Sequence, residues 1–140
     1  MIRIPRLTLP RLLSFVEGQL RRFLPGRIAV PRRAYAAARG GTVSIIDLPE
    51  TPNTEALAAI LALEMADRGT AMVVLVQADE ADRIELVGHR LGRQPRCEVR
   101  MLLISREGRK IKAVSRATSR EAPVQACTWE QPGRTTQSSA

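Results

Sequence analysis

Eight basic side chains crowd into one short stretch of this chain: Arg90, Arg93, Arg96, Arg106, Arg109, Lys110, Lys112 and Arg116. Guanidinium and ammonium groups at this density suit phosphate. Each phosphate they neutralise releases a counterion, so such binding weakens steeply with salt. Between residues 86 and 120 ten bases face two acids, whereas residues 41–85 carry nine acids and two bases. Charge separated in this way steers an anionic partner even where the total is small. No aromatic residue interleaves with the eight, so base stacking is missing and the chemistry on offer is contact with a phosphate backbone. These eight residues are the candidate RNA-binding site. A solvated edge strand is the competing explanation, because lysines also protect sheet edges from pairing.

A second constellation is acidic. Asp47, Glu50, Asp79 and Glu80 follow two apolar runs, where an open α/β sheet gathers ligands and where carboxylates can hold Mg²⁺. No G-x-x-x-x-G-K-[ST] occurs anywhere, so nothing cradles a triphosphate, and acids in these places also begin helices. His89 is the single histidine, which argues against a histidine metal site. The two cysteines, Cys97 and Cys127, make no disulfide framework; Cys97 reads as a small core hydrophobe and Cys127 lies in a polar tail. No catalytic residue, metal or cofactor is assigned, and the chain reads as a non-enzyme.

Elements must position these groups. Two β-prone runs flank Arg106-Glu107-Gly108-Arg109, so residues 97–114 read as a hairpin. Its first strand puts Cys97, Val99, Met101 and Leu103 on one face, with Leu102 and Ile104 on the other. Its second points Ile111 and Ala113 one way and Lys110, Lys112 and Val114 the other. Upstream, TVSIID (42–47) and TAMVVLVQ (70–77) read as strands, the latter buried on both faces. Helices are expected over 55–67 and after Asp79, which would cap a helix with Ile84, Val87 and Leu91 inside. The expected fold class is therefore α/β: one β-α-β-α-β-β domain over residues 42–118, a mixed sheet ending in the basic hairpin. Its expected core is Ile45, Ile60, Val73, Leu75, Ile84, Val87, Val99, Met101, Leu103 and Ile111. Residues 119–140, rich in Thr, Ser, Gln and Pro, are expected to be a disordered tail with Trp129 as its bulky anchor.

The first 35 residues differ from the rest. They hold eight arginines, no lysine and a single acid, Glu17. Leu12, Val16, Leu20 and Phe23 form an apolar helical stripe between Pro10 and Pro25-Gly26. Such a segment is built like a mitochondrial presequence, and Arg33-Ala34-Tyr35-Ala36 resembles the processing-peptidase pattern, with the cut between Tyr35 and Ala36. The expected organisation is a presequence over 1–35, a small-residue linker over 36–41, and a mitochondrial matrix location. A basic arm or membrane-surface helix of a bacterial protein is the alternative. No apolar run approaches the roughly 20 residues that span a bilayer, so no stable membrane insertion is expected.

The element order, with Glu107-Gly108-Arg109 followed by Ile111, resembles the C-terminal domain of translation initiation factor 3, bacterial or mitochondrial, over roughly residues 42–117. That resemblance implies a ribosome-binding α/β domain. QADEAD replaces the longer basic segment of that family, and its N-terminal domain is absent. Alba-type nucleic-acid-binding proteins share the order and the basic terminal hairpin, but LPETPNT replaces their lysine-bearing loop. TVSIIDLPE resembles the strand and Asp-x-Pro segment of ParA-like ATPases, with Asp47 where a Walker B acid sits. The reading that follows is a small mitochondrial protein that binds RNA or the ribosome through the basic hairpin. The alternative is a structural subunit or assembly factor of a mitochondrial complex; a degenerate ParA-like domain ranks third.

Overall fold

A computed structural model describes residues 2–48 and 69–123. The helix near the start of the chain has a well-capped entry. Thr8 is extended and its Oγ1 accepts from the Arg11 amide at 3.2 Å, and Pro10 sits in the first turn, where it has no hydrogen bond to lose. The helix α1 runs Leu9–Phe23, with Arg21 and Arg22 beside the negative end of its dipole. Leu9, Leu12, Leu13, Val16 and Leu20 are buried along one stripe. Leu24 ends it, and Gly26, at φ 87°, turns the chain away.

Among the described residues seven antiparallel strands curl around that stripe. They are β1 (Ile2–Arg3), β2 (Arg33–Ala38), β3 (Thr42–Asp47), β4 (Thr70–Ala78), β5 (Arg83–Arg90), β6 (Arg96–Glu107) and β7 (Lys110–Ala122). Their order in the sheet is β1-β3-β2-β4-β5-β6-β7. The helix side gathers Tyr35, Ala37, Val43, Met72, Val74, Val76, Ile84, Leu86, Leu102, Ile111 and Val114 into the main core. Gly88 lies under the helix, where a side-chain carbon would press on Leu9 and Leu13. Gly41, at φ 94°, lets the β2–β3 turn approach Ile4, whose amide donates to the Gly41 carbonyl. The opposite face carries two smaller buried groups: Ala34, Leu48, Val73 and Leu75, then Val87, Cys97, Val99 and Ala122.

This corrects the expected β-α-β-α-β-β domain. The described residues hold one helix, and it lies between β1 and β2 rather than between parallel strands. The helix expected after Asp79 is a turn followed by β5. Asp79 Oδ1 accepts from the amides of Ala81 and Arg83, and Asp82 takes φ 58°, so the side chain that could cap a helix closes a hairpin instead. The helix expected over 55–67 and its core residue Ile60 lie outside the described residues. TVSIID, TAMVVLVQ and the 97–114 hairpin are strands as expected, now as β3, β4 and β6–β7.

Of the expected core, Val73, Leu75, Ile84, Val87, Val99 and Ile111 are buried and Met101 is half-buried. Ile45 and Leu103 are instead 39% and 44% exposed. Ile45 lies on β3 beyond its short pairing with β1, and Leu103 faces away from the helix near the open end of β6. A bulge between Ser105 and Arg106 also changes the alternation in β7, so Ile111 and Val114 both enter the core. β7 continues past residue 118 to Ala122, and most of the expected tail lies outside the described residues.

The first 35 residues are integral to this architecture. Tyr35 is fully buried in the middle of β2, paired with Ile45 on β3 and Val74 on β4. A cut between Tyr35 and Ala36 would sever β2 and remove α1.

Candidate functional site

Internal partners divide the eight predicted phosphate-binding residues. Arg96 makes two bonds to Glu121, at 3.1 and 2.9 Å. Arg106 is a structural clamp: it reaches Asp82 at 2.8 Å and the Ile28 and Arg109 carbonyls at 2.9 and 2.6 Å. Arg116 donates to Glu17 at 2.8 Å, and Arg90 closes its own turn through the Gln94 carbonyl. Four of the eight therefore hold the fold together. Arg93, Arg109, Lys110 and Lys112 remain exposed with no ion pair among the described residues. The structure also separates them. Arg93 lies in the β5–β6 turn and the other three at the β6–β7 turn, so the length of β6, about 40 Å if straight, stands between the two places.

The hairpin tip does not stand alone. The Gly26 amide donates to the Ile111 carbonyl at 2.8 Å, and the Ile111 amide donates to the Arg27 carbonyl at 2.7 Å. These two bonds pin the loop after α1 against the start of β7. Arg27, which the sequence assigned to a targeting segment, thus flanks Lys110 and Lys112. Its guanidinium lies over the Phe23 ring at 3.6 Å and Arg33 lies over the same ring at 4.7 Å. The acids near this end are largely matched: Asp47 pairs with Arg33, Asp79 with Arg83 and Asp82 with Arg106. Among the described residues, what stays exposed at this end is Arg22, Arg27, Arg109, Lys110 and Lys112 against Glu80 and Glu107.

A second cluster is buried and ionic. The Glu17 carboxylate accepts from Arg100 at 3.2 Å and Arg116 at 2.8 Å on one oxygen, and pairs with Arg21 at 2.7 Å on the other. Arg100 also donates to the hydroxyls of Ser14 and Ser119. Burial lowers the Arg100 pKa, and nearby Arg116 pushes the same way; Glu17 opposes them. The group joins α1 to β6 and β7. Its carboxylate is saturated with cations, so its chemistry is structural.

Asp47 and Asp79, read as possible Mg²⁺ ligands, spend their oxygens on arginines, and Glu50 lies outside the described residues. Among the described residues no three His, Cys, Asp or Glu side chains converge on a metal position. Cys97, read as a simple core hydrophobe, is fully buried and disulfide-bonded. No helix among the described residues is long and apolar enough to cross a membrane.

His89 is 5% exposed on β5, with Val73 opposite it on β4 and Cys97 opposite it on β6. Burial pushes its pKa down from 6.5 to about 4. The imidazole is then neutral in the folded protein, while the unfolded chain takes up a proton below about pH 6.5. Its contribution to stability is complete above that pH and is lost as pH falls toward 4, on the order of 3 kcal/mol in all. Urea midpoints should fall between pH 6.5 and 5 and fall much less in His89→Gln; equal slopes would contradict this assignment.

No protein-family model, curated protein or solved structure matches the chain. The class is therefore defined by fold and charge: a curled antiparallel sheet around one N-terminal helix, with a cationic end. The β-α-β-α-β-β order on which the initiation-factor and Alba resemblances rested is not the order found.

Proposed function

We propose that this protein binds RNA, contacting phosphates through Arg109, Lys110 and Lys112 at the tip of the β6–β7 hairpin. One observation carries the reading. Of the eight candidate cations, these three stay together, exposed, and outside the ion pairs that occupy Arg96, Arg106 and Arg116. Contacts to phosphate position a partner without reading its bases, so affinity should depend little on sequence. Structured RNA of the ribosomal kind is the abundant ligand of this chemistry.

A second reading, a subunit or assembly factor of a protein complex, draws on Cys97. Disulfides persist in oxidising compartments, which suits neither a matrix location nor a ribosome. Residues 1–35 are part of the folded sheet, which favours a working chain that keeps them.

Sedimentation of cell lysate separates the two. With Arg109, Lys110 and Lys112 changed to Ala, the fold should be retained, since all three side chains are exposed. The wild-type protein should co-sediment with large particles until ribonuclease is added, and the triple variant should stay in the supernatant. Co-sedimentation indifferent to both ribonuclease and the substitutions would sink the RNA reading and favour the subunit.

A further inference from the structure

Resting on the RNA reading, we infer that the binding surface is composite and suited to a double helix: Arg22 and Arg27, from the end of α1, complete the hairpin cluster. The juxtaposition is fixed by backbone bonds rather than by mobile side chains. Gly26 and Arg27 exchange hydrogen bonds with Ile111, the residue between Lys110 and Lys112. Arg22 lies in the last helical turn, four residues before Gly26, and is exposed. Two separate chain segments therefore present cations on one end of the molecule. The local acids Asp47, Asp79 and Asp82 are neutralised by Arg33, Arg83 and Arg106. Among the described residues Glu80 and Glu107 are the other exposed acids near this end, and the five cations outnumber them.

The aromatic side chains decide the class of nucleic acid. Proteins that hold single strands stack bases on exposed aromatic faces. Here Tyr35 is fully buried, Phe15 meets it edge-on at 6.3 Å, and Phe23 is covered by Arg27 and Arg33. Among the described residues the ring beside the cationic cluster, that of Phe23, is occupied by guanidinium groups, and Phe15 lies about two helical turns away. A surface with cations and no stacking platform gains from the dense, regular phosphates of a duplex, recognised by shape. The cation–π contact leaves the guanidinium edge of Arg27 able to donate to phosphate, and holds it in place beforehand.

The test titrates the purified full-length protein with a duplex RNA of about 20 base pairs and with one strand of it, at a fixed salt concentration. Wild type should bind the duplex at least about tenfold more tightly than the strand, given the missing stacking term. Arg22→Gln/Arg27→Gln should weaken duplex binding severalfold. Arg27 touches Phe23, so Arg22→Glu, an exposed single change, serves as the second variant and should act in the same direction. If both leave duplex affinity unchanged while the hairpin triple variant loses it, the composite surface is wrong and the RNA reading stands. If the hairpin variant also binds like wild type, both fall. Tighter binding of the single strand would overturn the duplex assignment alone.

Discussion

A chain beginning at Ala36 is expected not to fold. Such a chain lacks Leu9, Leu12, Leu13, Val16, Leu20, Leu24 and Tyr35, all buried against the concave face of the sheet. Burying one large aliphatic side chain is worth roughly 1.5–3 kcal/mol, so the loss is on the order of 10 kcal/mol. A domain is stable by only about 5–15 kcal/mol in total. The cut also removes half of β2, which pairs with both β3 and β4 and so joins the two parts of the sheet. Circular dichroism and urea titration of the full-length and shortened chains check this. A cooperative transition in the shortened chain would show that residues 1–35 are dispensable to the fold.

The second large effect is expected at Glu17. Changing it to Ala leaves Arg21, Arg100 and Arg116 without their shared carboxylate. Arg21 and Arg116 can turn to water, since their side chains are 47% and 44% exposed; Arg100, at 5%, cannot. Removing one partner of a buried ion pair strands the other charge, at a cost of about 3–5 kcal/mol. The hydroxyls of Ser14 and Ser119 solvate Arg100 only in part. Replacing both members, as Glu17→Ala with Arg100→Met, removes the stranded charge and should recover much of the loss. Denaturant titration of the two variants is the check. A loss below about 1 kcal/mol for Glu17→Ala would mean that the cluster is open to water.

The sequence read more truly for segments than for how they assemble. The stripe of Leu12, Val16 and Leu20 announced a helix because period and caps agreed, and α1 is that helix. Its composition, arginine-rich with one acid, was attributed to import. That single acid is Glu17, the anchor of three arginines, and the partners Arg100 and Arg116 are more than 80 residues away, beyond the reach of any local pattern. β5 misled for a different reason. It buries Ile84 and Leu86 on one face and Val87 and His89 on the other, so Ile84, Val87 and Leu91 imitate a helical spacing inside a two-sided strand. The clusters of charge were legible and their pairing was not. Arg106 was indistinguishable from Arg109 until Asp82 and the Ile28 carbonyl were seen beside it. Arg27 could be joined to the hairpin only through Ile111.

Salt dependence measures the central claim most directly. Each phosphate neutralised contributes about 0.7–0.9 to the slope of log affinity against log salt. Duplex RNA is titrated across a salt series with wild type and with the Arg109, Lys110 and Lys112 triple alanine variant. The difference between the two slopes counts the phosphates that these three side chains neutralise. The account predicts a slope shallower by about 2–3 in the variant, with unfolding midpoints unchanged. Equal slopes for the two proteins, at equal affinity, would contradict it.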